Sequence, residues 1–478
     1  VSVIFLALNL FFVVAKGWLW LNVLPVLFSF VLLALLRPDY LLLLVVFFTP
    51  LSLPLKEILP GFSFDMSLPT EPLLFGVLLL FLLKLAQKRN FPRAFLAHPV
   101  SLALAVYLFW MLFTGLTGTM ILVSLKYWLS KLWFIVAFYW LGQELLQDKN
   151  NFYRFVLLYA SGFLPVIVYA WWRQAAYGFF DNHAANFVMN PFFKDHTSYG
   201  AMLVFFIPVL FVMTGMTNLK RSWRIVAGFQ LTVFVIALIL SYTRAAWLSF
   251  VVALGILPLL WFRVKFRTVL IAGAASLLAF YLFQQVLVEK FSSNTQQSSS
   301  QLAGHVESIS NISTDASNVE RLNRWSSAIA MFKEKPVLGW GPGTYMFRYA
   351  PFQRTDLRTI ISTNSGDGGN AHSEYLGALA ESGLPGMLTV VLLVLLIAAT
   401  GFRVYEQAKD KEQKLVAVAV LMALVSYFAH GFLNNFLDTD KAAVPVWFFF
   451  AVLVMLDLKQ KCHFVIKAPE IQKKEAPV

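Results

Sequence analysis

The chain has 478 residues, of which 59% are hydrophobic, 13% are charged and 47 are phenylalanine, and its mean hydropathy is +0.69. A soluble protein of this length needs a far more polar surface, so the composition excludes a soluble enzyme and indicates a polytopic membrane protein. The net charge of +13 would suit nucleic acid, but the basic residues gather in short loops between apolar runs and no soluble basic domain is present, so no nucleic-acid partner is expected.

Apolar runs fall near 1–15, 18–36, 40–55, 72–86, 99–116, 127–142, 152–173, 198–215, 223–243, 245–262, 268–288, 385–402, 415–433 and 443–458. Several are shorter than the ~20 residues that span a bilayer, so some merge and about 12 to 14 spans are expected. The first run is read as a membrane segment rather than a signal peptide, because no small-residue cleavage site follows it. The one cysteine, Cys462, allows neither an intramolecular disulfide nor a cysteine metal site.

Basic clusters set the orientation. Lys84, Lys88, Arg89 and Arg93 form one, Lys220, Arg221 and Arg224 a second, and Arg263, Lys265 and Arg267 a third. Arg403, Lys409, Lys411 and Lys414 follow, and the tail carries Lys459, Lys461, Lys473 and Lys474. Counting spans puts every cluster on one side, cytoplasmic by the positive-inside rule, with both termini inside. The segments 176–197, the turn at Arg244 and the stretch 289–384 then lie outside. This divides the chain into an N-terminal bundle (1–288), a large outer loop (289–384), C-terminal helices (385–458) and a cytoplasmic tail (459–478).

The outer loop is too long for an ordinary connection and is read as functional. Ser292 to Ser300 is rich in Ser and Gln. Ser317-Asn318-Val319-Glu320 reads as a capping box, and Leu322, Trp325, Ile329 and Phe332 follow as an apolar helical stripe that ends at Pro336. Gly339-Trp340-Gly341-Pro342-Gly343 is a tight turn. No strand precedes it and no Lys-Ser/Thr follows, so it is not a nucleotide loop.

His372 opens the stretch from 372 to 386, at the seam between this loop and an apolar run. With Asn370 as N-cap and Gly383 at C′, His372 falls in the first helical turn, where the dipole disfavours imidazolium. A neutral imidazole there can take a proton from a hydroxyl, or the residue is a backbone-capping loop histidine. Helical geometry points Glu381 and Glu374 away from His372, so Glu381 pairs elsewhere. Arg244 ends one apolar run and begins the next, either snorkelling or clamping a lipid-linked phosphate. Arg321 borders the apolar stripe and Arg324 lies further round; headgroup contact and a cavity role both remain open. Lys194, Asp195 and His196, with Asp181 and His183, contact substrate or solvate their loop. His430 is an intramembrane ionisable group, a site residue or a hydrogen-bonded core residue. Asp438-Thr439-Asp440 has the form of a metal-holding pair but lacks a further acidic cluster, and no metal site is assigned.

The stretch His372, Ser373, Gly383, Gly386, with Glu381 between, resembles the signature of the O-antigen ligase and polymerase superfamily. Thr243-Arg244-Ala245-Ala246-Trp247 resembles its Ser/Thr-Arg segment. Arg321, Trp325, Pro336, Gly339, Gly341, Pro342 and Gly343 resemble its loop pattern. The resemblance covers about 190 to 435 and implies an all-α, GT-C-like membrane glycosyltransferase in the bacterial inner membrane with a periplasmic site. It implies transfer of a glycan from undecaprenyl diphosphate to an acceptor hydroxyl, most simply that of lipid A–core, with membrane lipids around it and with neither cofactor nor metal. His372 would be the base or the group that orients the acceptor, Arg244 and Arg321 would hold the diphosphate, and Arg324, Glu381, His430 and His196 would support them. A clamped diphosphate leaves without a general acid, and a base on the opposite face predicts inversion.

The alternatives within the family are a polysaccharide polymerase and a protein O-oligosaccharyltransferase, which usually carries a further domain. A lipid or polysaccharide transporter is the alternative of another class. No internal repeat is visible, and the arginines of interest sit at the outer edge rather than the midplane.

Overall fold

The computed structural model describes residues 2–17, 20–59, 66–87, 92–276, 278, 316–358, 362 and 369–467. The Ser292 to Ser300 stretch, the end of the 268–288 run and the basic pair Lys473 and Lys474 lie outside the described residues.

Nine described helices are long and apolar enough to cross a membrane. They are α1 (Pro99–Thr117), α2 (Ile121–Leu145), α3 (Asn150–Ala175), α4 (His196–Gly215), α5 (Arg221–Leu240) and α6 (Arg244–Trp261), then, beyond the amphipathic α7 (Ala316–Glu334), α8 (Glu374–Gln407), α9 (Lys411–His430) and α10 (Asp440–Lys467). The one strand pair among the described residues joins Leu53–Pro54 to Ser67–Leu68. The protein is an all-α polytopic membrane protein. The runs before residue 90 form shorter helices, Ser2–Lys16, Val23–Leu36, Pro38–Phe48 and Thr70–Ala86. At ~1.5 Å per residue none of them reaches the ~30 Å of a hydrocarbon core. They account for most of the gap between nine long helices and the expected 12 to 14 spans.

Helix starts follow capping chemistry. Pro99 occupies the first position of α1, where its missing N–H costs nothing, and the His98 ring accepts from Val100 N at 3.2 Å. Asp195 caps α4 by accepting from Ser198 N at 2.8 Å, and Asp410 caps α9. α10 is the most enclosed span (89% buried) and α5 and α6 the least (28% each), so α10 is the axis of the bundle and α5 and α6 face lipid. Aromatic stacking packs α3 on the axis and on α4, with Phe155 on Phe448 at 3.9 Å and Tyr159 on Phe206 at 4.3 Å between ring centres. Such packing, rather than removal of apolar surface from water, is what joins helices in lipid.

α7 departs from its expected form at two points. It begins at Ala316, ahead of Ser317, and the Glu320 carboxylate binds Arg324 and Ser362 instead of closing a capping box. Its buried face is Asn323, Arg324, Ser327, Ala328 and Met331, while Ile329 of the expected stripe is exposed. The loop packed on that face satisfies Asn323, which bonds Gln353 at 3.1 Å and Arg354 N at 3.0 Å, while Ser327 bonds Asn323 O of its own helix.

Candidate functional site

The apolar run at 385–402 lies inside a much longer helix. α8 starts at Glu374 and is kinked at Gly383, whose φ is +68°. A Cβ at Gly383 would stand 2.1 Å from the Val337 carbonyl oxygen, so both the backbone angle and the space demand glycine. The 339–343 turn closes on this kink. Leu384 N donates to Pro336 O at 2.9 Å, Trp340 N to Ala380 O at 3.1 Å and Gly341 N to Glu381 O at 2.8 Å. The Glu381 carboxylate accepts from Tyr345 N at 2.9 Å and from Gly343 N. Glu381 therefore pairs elsewhere than His372, as its helical position requires, but its partner is turn backbone rather than a loop arginine.

His372 stands just before α8. The N-cap is Ser373, which accepts from Leu376 N, and not Asn370. Asn370 instead accepts from His372 N at 3.0 Å, and Trp325 Nε1 donates to His372 O at 3.2 Å. Between these ties His372 holds φ +47°, the sparsely populated left-handed region that non-glycine residues keep only when their surroundings enforce it. The ring hydrogen-bonds the Asn434 side chain. Asn434 Nδ2 in turn lies 3.1 Å from His430 Nε2. With its NH2 turned to His430, the Asn434 amide presents its carbonyl oxygen to His372. Burial, and then the charges of Arg321 and Arg324, push the His372 pKa down to about 4, against smaller opposing effects of Asn434 and Asp195.

Cations surround this group. Arg321 is within electrostatic reach of His372, His430 and His196, and Arg244 is within reach of His196. Thr243 Oγ1 donates to His196 O at 2.8 Å, which ties the start of α6 to the start of α4 and sets His196 beside Arg244. Arg324 is closer to the site than its wheel position indicated. It is buried, pairs with Glu320 at 2.6 Å and lies 3.9 Å over the Tyr349 ring. His430 is 1% exposed and serves as a hydrogen-bonded neighbour of Asn434.

A cavity of about 1150 Å³ opens against His372. Arg324, Glu381, Lys194 and Asp195 also line it, whereas Arg244, Arg321, His196 and His430 do not. His372 thus stands at the cavity wall within electrostatic reach of Arg321 and Arg324. Asp181 is spent on its own turn, accepting from His183 N at 2.7 Å. Asp438 lines the cavity, but Asp440 is bound to Ser52, Thr70 and Lys441, so the two carboxylates do not converge on one point. Among the described residues no group of three or more His, Cys, Asp or Glu side chains is placed to hold a metal.

Sequence reasoning missed Asn434 and Lys131, and set Glu374 aside as facing away from His372. Glu374 accepts from Tyr427 OH at 2.6 Å and from Phe436 N and Leu437 N at 2.9 Å each, fixing the segment that carries Asn434. Lys131 is a lysine inside an apolar run, and that alone marked it as a site residue to examine.

A family model described as O-Antigen ligase matches residues 229–391. Over that segment, about a third of its length, the chain is similar to the O-antigen ligase superfamily, a likeness that points to a membrane glycosyltransferase of the ligase or polymerase type. The matched segment contains Arg244, Arg321, Arg324, His372 and Glu381 but neither His196 nor His430. No curated protein matches the chain.

Proposed function

We propose that the protein transfers a glycan from undecaprenyl diphosphate to an acceptor hydroxyl, ligating O-antigen onto lipid A–core, in the inner membrane with its site facing the periplasm and both termini in the cytoplasm. The observation that carries this reading is the place of His372, at the wall of a large cavity and within electrostatic reach of Arg321 and Arg324, with its ring beside Asn434. Arg244 and Arg321 hold the donor diphosphate, with Arg324 adding positive charge and His196 beside them as a neutral imidazole. The ring nitrogen of His372 not bonded to Asn434 accepts the proton of the acceptor hydroxyl. The hydroxyl oxygen attacks the anomeric carbon from the face opposite the diphosphate. The anomeric C–O bond breaks, undecaprenyl diphosphate leaves with the electron pair, and the centre inverts. The 289–384 segment supplies Arg321 and His372, and the GT-C-like bundle supplies Arg244 and the cavity walls.

The test is transfer by purified protein given an undecaprenyl-diphosphate glycan and either lipid A–core or free glycan. Appearance of glycosylated lipid A–core is expected. Ladder extension of the free glycan instead would assign polymerisation, and no transfer to either acceptor would refute both.

A further inference from the structure

Lys131 sits about 15 Å along α2 from its start, is 2% exposed and lines the cavity. Its Nζ lies 5.1 Å from the centre of the Tyr127 ring. Asp438, Glu374 and Glu381 all act on it electrostatically, yet among the described residues no carboxylate oxygen comes within the 4.0 Å of a salt bridge. A buried ammonium without such a partner is costly, and its retention calls for a ligand. The groups facing it are open as well. Asp438 and the hydroxyls of Tyr107 and Tyr127 make no hydrogen bond among the described residues, although all three residues line the same cavity. Glu374 and Glu381 each anchor one carboxylate oxygen on backbone N–H groups, which fixes the direction of the other.

We infer that Lys131, Asp438, Tyr107 and Tyr127 form a sugar-binding subsite for an uncharged pyranose, with Glu374 and Glu381 as its rigid floor. The gap between Lys131 and Asp438 exceeds an ion pair, and a pair of vicinal hydroxyls can bridge it by accepting from the ammonium and donating to the carboxylate. Aromatic walls suit the C–H faces of a pyranose ring. Three carboxyl groups around one ammonium repel phosphate, so the donor diphosphate belongs beside Arg244 and Arg321, near His196, and the sugar here. This subsite deepens the transferase reading and rests on it for the ligand being a glycan.

The test uses detergent-purified full chain and two probes: methyl pyranosides of the gluco, galacto and 2-acetamido series, and sugar-free undecaprenyl diphosphate. Binding is read by saturation-transfer NMR and stability by thermal unfolding. Wild-type protein is expected to bind at least one pyranoside. Lys131→Met is expected to weaken that binding about tenfold, as loss of a charged hydrogen bond does, with undecaprenyl diphosphate binding unchanged. The melting temperature should hold or rise, since a buried charge is removed. Asp438→Asn, at a half-buried loop position, should show the same selective loss. Pyranoside binding unaffected in both variants overturns the subsite, as does equal weakening of both probes or a lowered melting temperature in Lys131→Met. Wild-type protein that binds pyranoside but not undecaprenyl diphosphate upholds the subsite and refutes the transferase reading instead.

Discussion

Asn434 Nδ2 lies 3.1 Å from His430 Nε2, and the same side chain hydrogen-bonds the ring of His372. One amide therefore orients two histidines, because a carboxamide has a donor end and an acceptor end that cannot exchange while both are engaged. His430, buried in α9, holds the donor end. The acceptor end then selects the tautomer of His372 in which the proton sits toward Asn434 and the other ring nitrogen keeps its lone pair.

Removing the amide should therefore cost turnover more than affinity. Asn434→Ala is expected to lower kcat by about 10- to 100-fold with KM little changed, because base geometry is lost while substrate contacts remain. Asn434→Asp places a carboxylate against the ring, stabilises imidazolium and should move the acid limb of the pH profile upward. A parallel rise in KM in Asn434→Ala, with no pH effect in Asn434→Asp, would argue for a purely structural role.

With His372 as the proposed base, its depressed pKa of about 4 is expected to set the acid limit of activity. The profile of kcat/KM reports the free protein and should fall only near pH 4, well below the 6.5 of an ordinary imidazole. Burial is the largest cause of the depression and Arg321 the next, so removing the Arg321 charge raises the pKa part of the way toward its ordinary value. Arg321→Gln should shift the acid limb of kcat/KM toward neutral pH and weaken the donor. In the wild type a bound diphosphate offsets the same arginine charge, so the limb for kcat should lie above that for kcat/KM. Coincident limbs in wild type and variant would break the link between Arg321 and His372.

His372→Ala should insert and fold but lose about 10²- to 10⁴-fold in transfer, the usual worth of a positioned base. Gel-filtration behaviour and thermal unfolding check the folding, and initial rates check the loss. Wild-type rates in this variant would remove His372 from the base role.

The spans α3 to α6 were legible in sequence within a few residues, since length and hydropathy alone define a membrane helix. The first turns of α8 were not, because Glu374, Gly377, Glu381 and Gly383 interrupt the apolar pattern while their polar groups are satisfied by neighbouring segments. The positive φ of Gly383 was readable as a helix-ending glycine, but the chain resumes the helix beyond it because Pro336 accepts from Leu384 N. Asn434 carried no local signal, for its significance is a contact with a residue distant in sequence. Arg324 was misplaced because α7 buries a polar face, and a search for an apolar stripe selects the wrong side of such a helix.

That kink makes a stability prediction. Gly383→Ala forces a side chain into the left-handed region and against the Val337 carbonyl oxygen at 2.1 Å. The cost is expected to be about 2 kcal/mol or more, seen as a lower unfolding temperature in detergent. Gly377→Ala, in the same helix, where the nearest contact of a Cβ is 3.7 Å away, should fold as wild type. Equal stability of the two variants would show that the 339–343 turn yields to α8 rather than fixing it.

Asp440 separates structure from chemistry at the end of α10. It is 1% exposed and bound by Ser52, Thr70 and Lys441, and Lys441 also donates to Ser52 O at 3.1 Å. Asp440→Ala leaves the largely buried Lys441 ammonium without its counter-charge, which typically costs about 3–5 kcal/mol. The expected outcome is a destabilised protein with poor yield, whereas Asp438→Asn keeps wild-type stability. Incubation with EDTA should leave transfer rates unchanged, because Asp440 is already saturated by protein donors and Asp438 alone offers too few oxygens for a divalent ion. Activity abolished by EDTA and restored by added magnesium or manganese would reinstate the Asp438 and Asp440 pair as metal ligands, and would require Asp440 to exchange its Ser52 and Thr70 contacts for the ion.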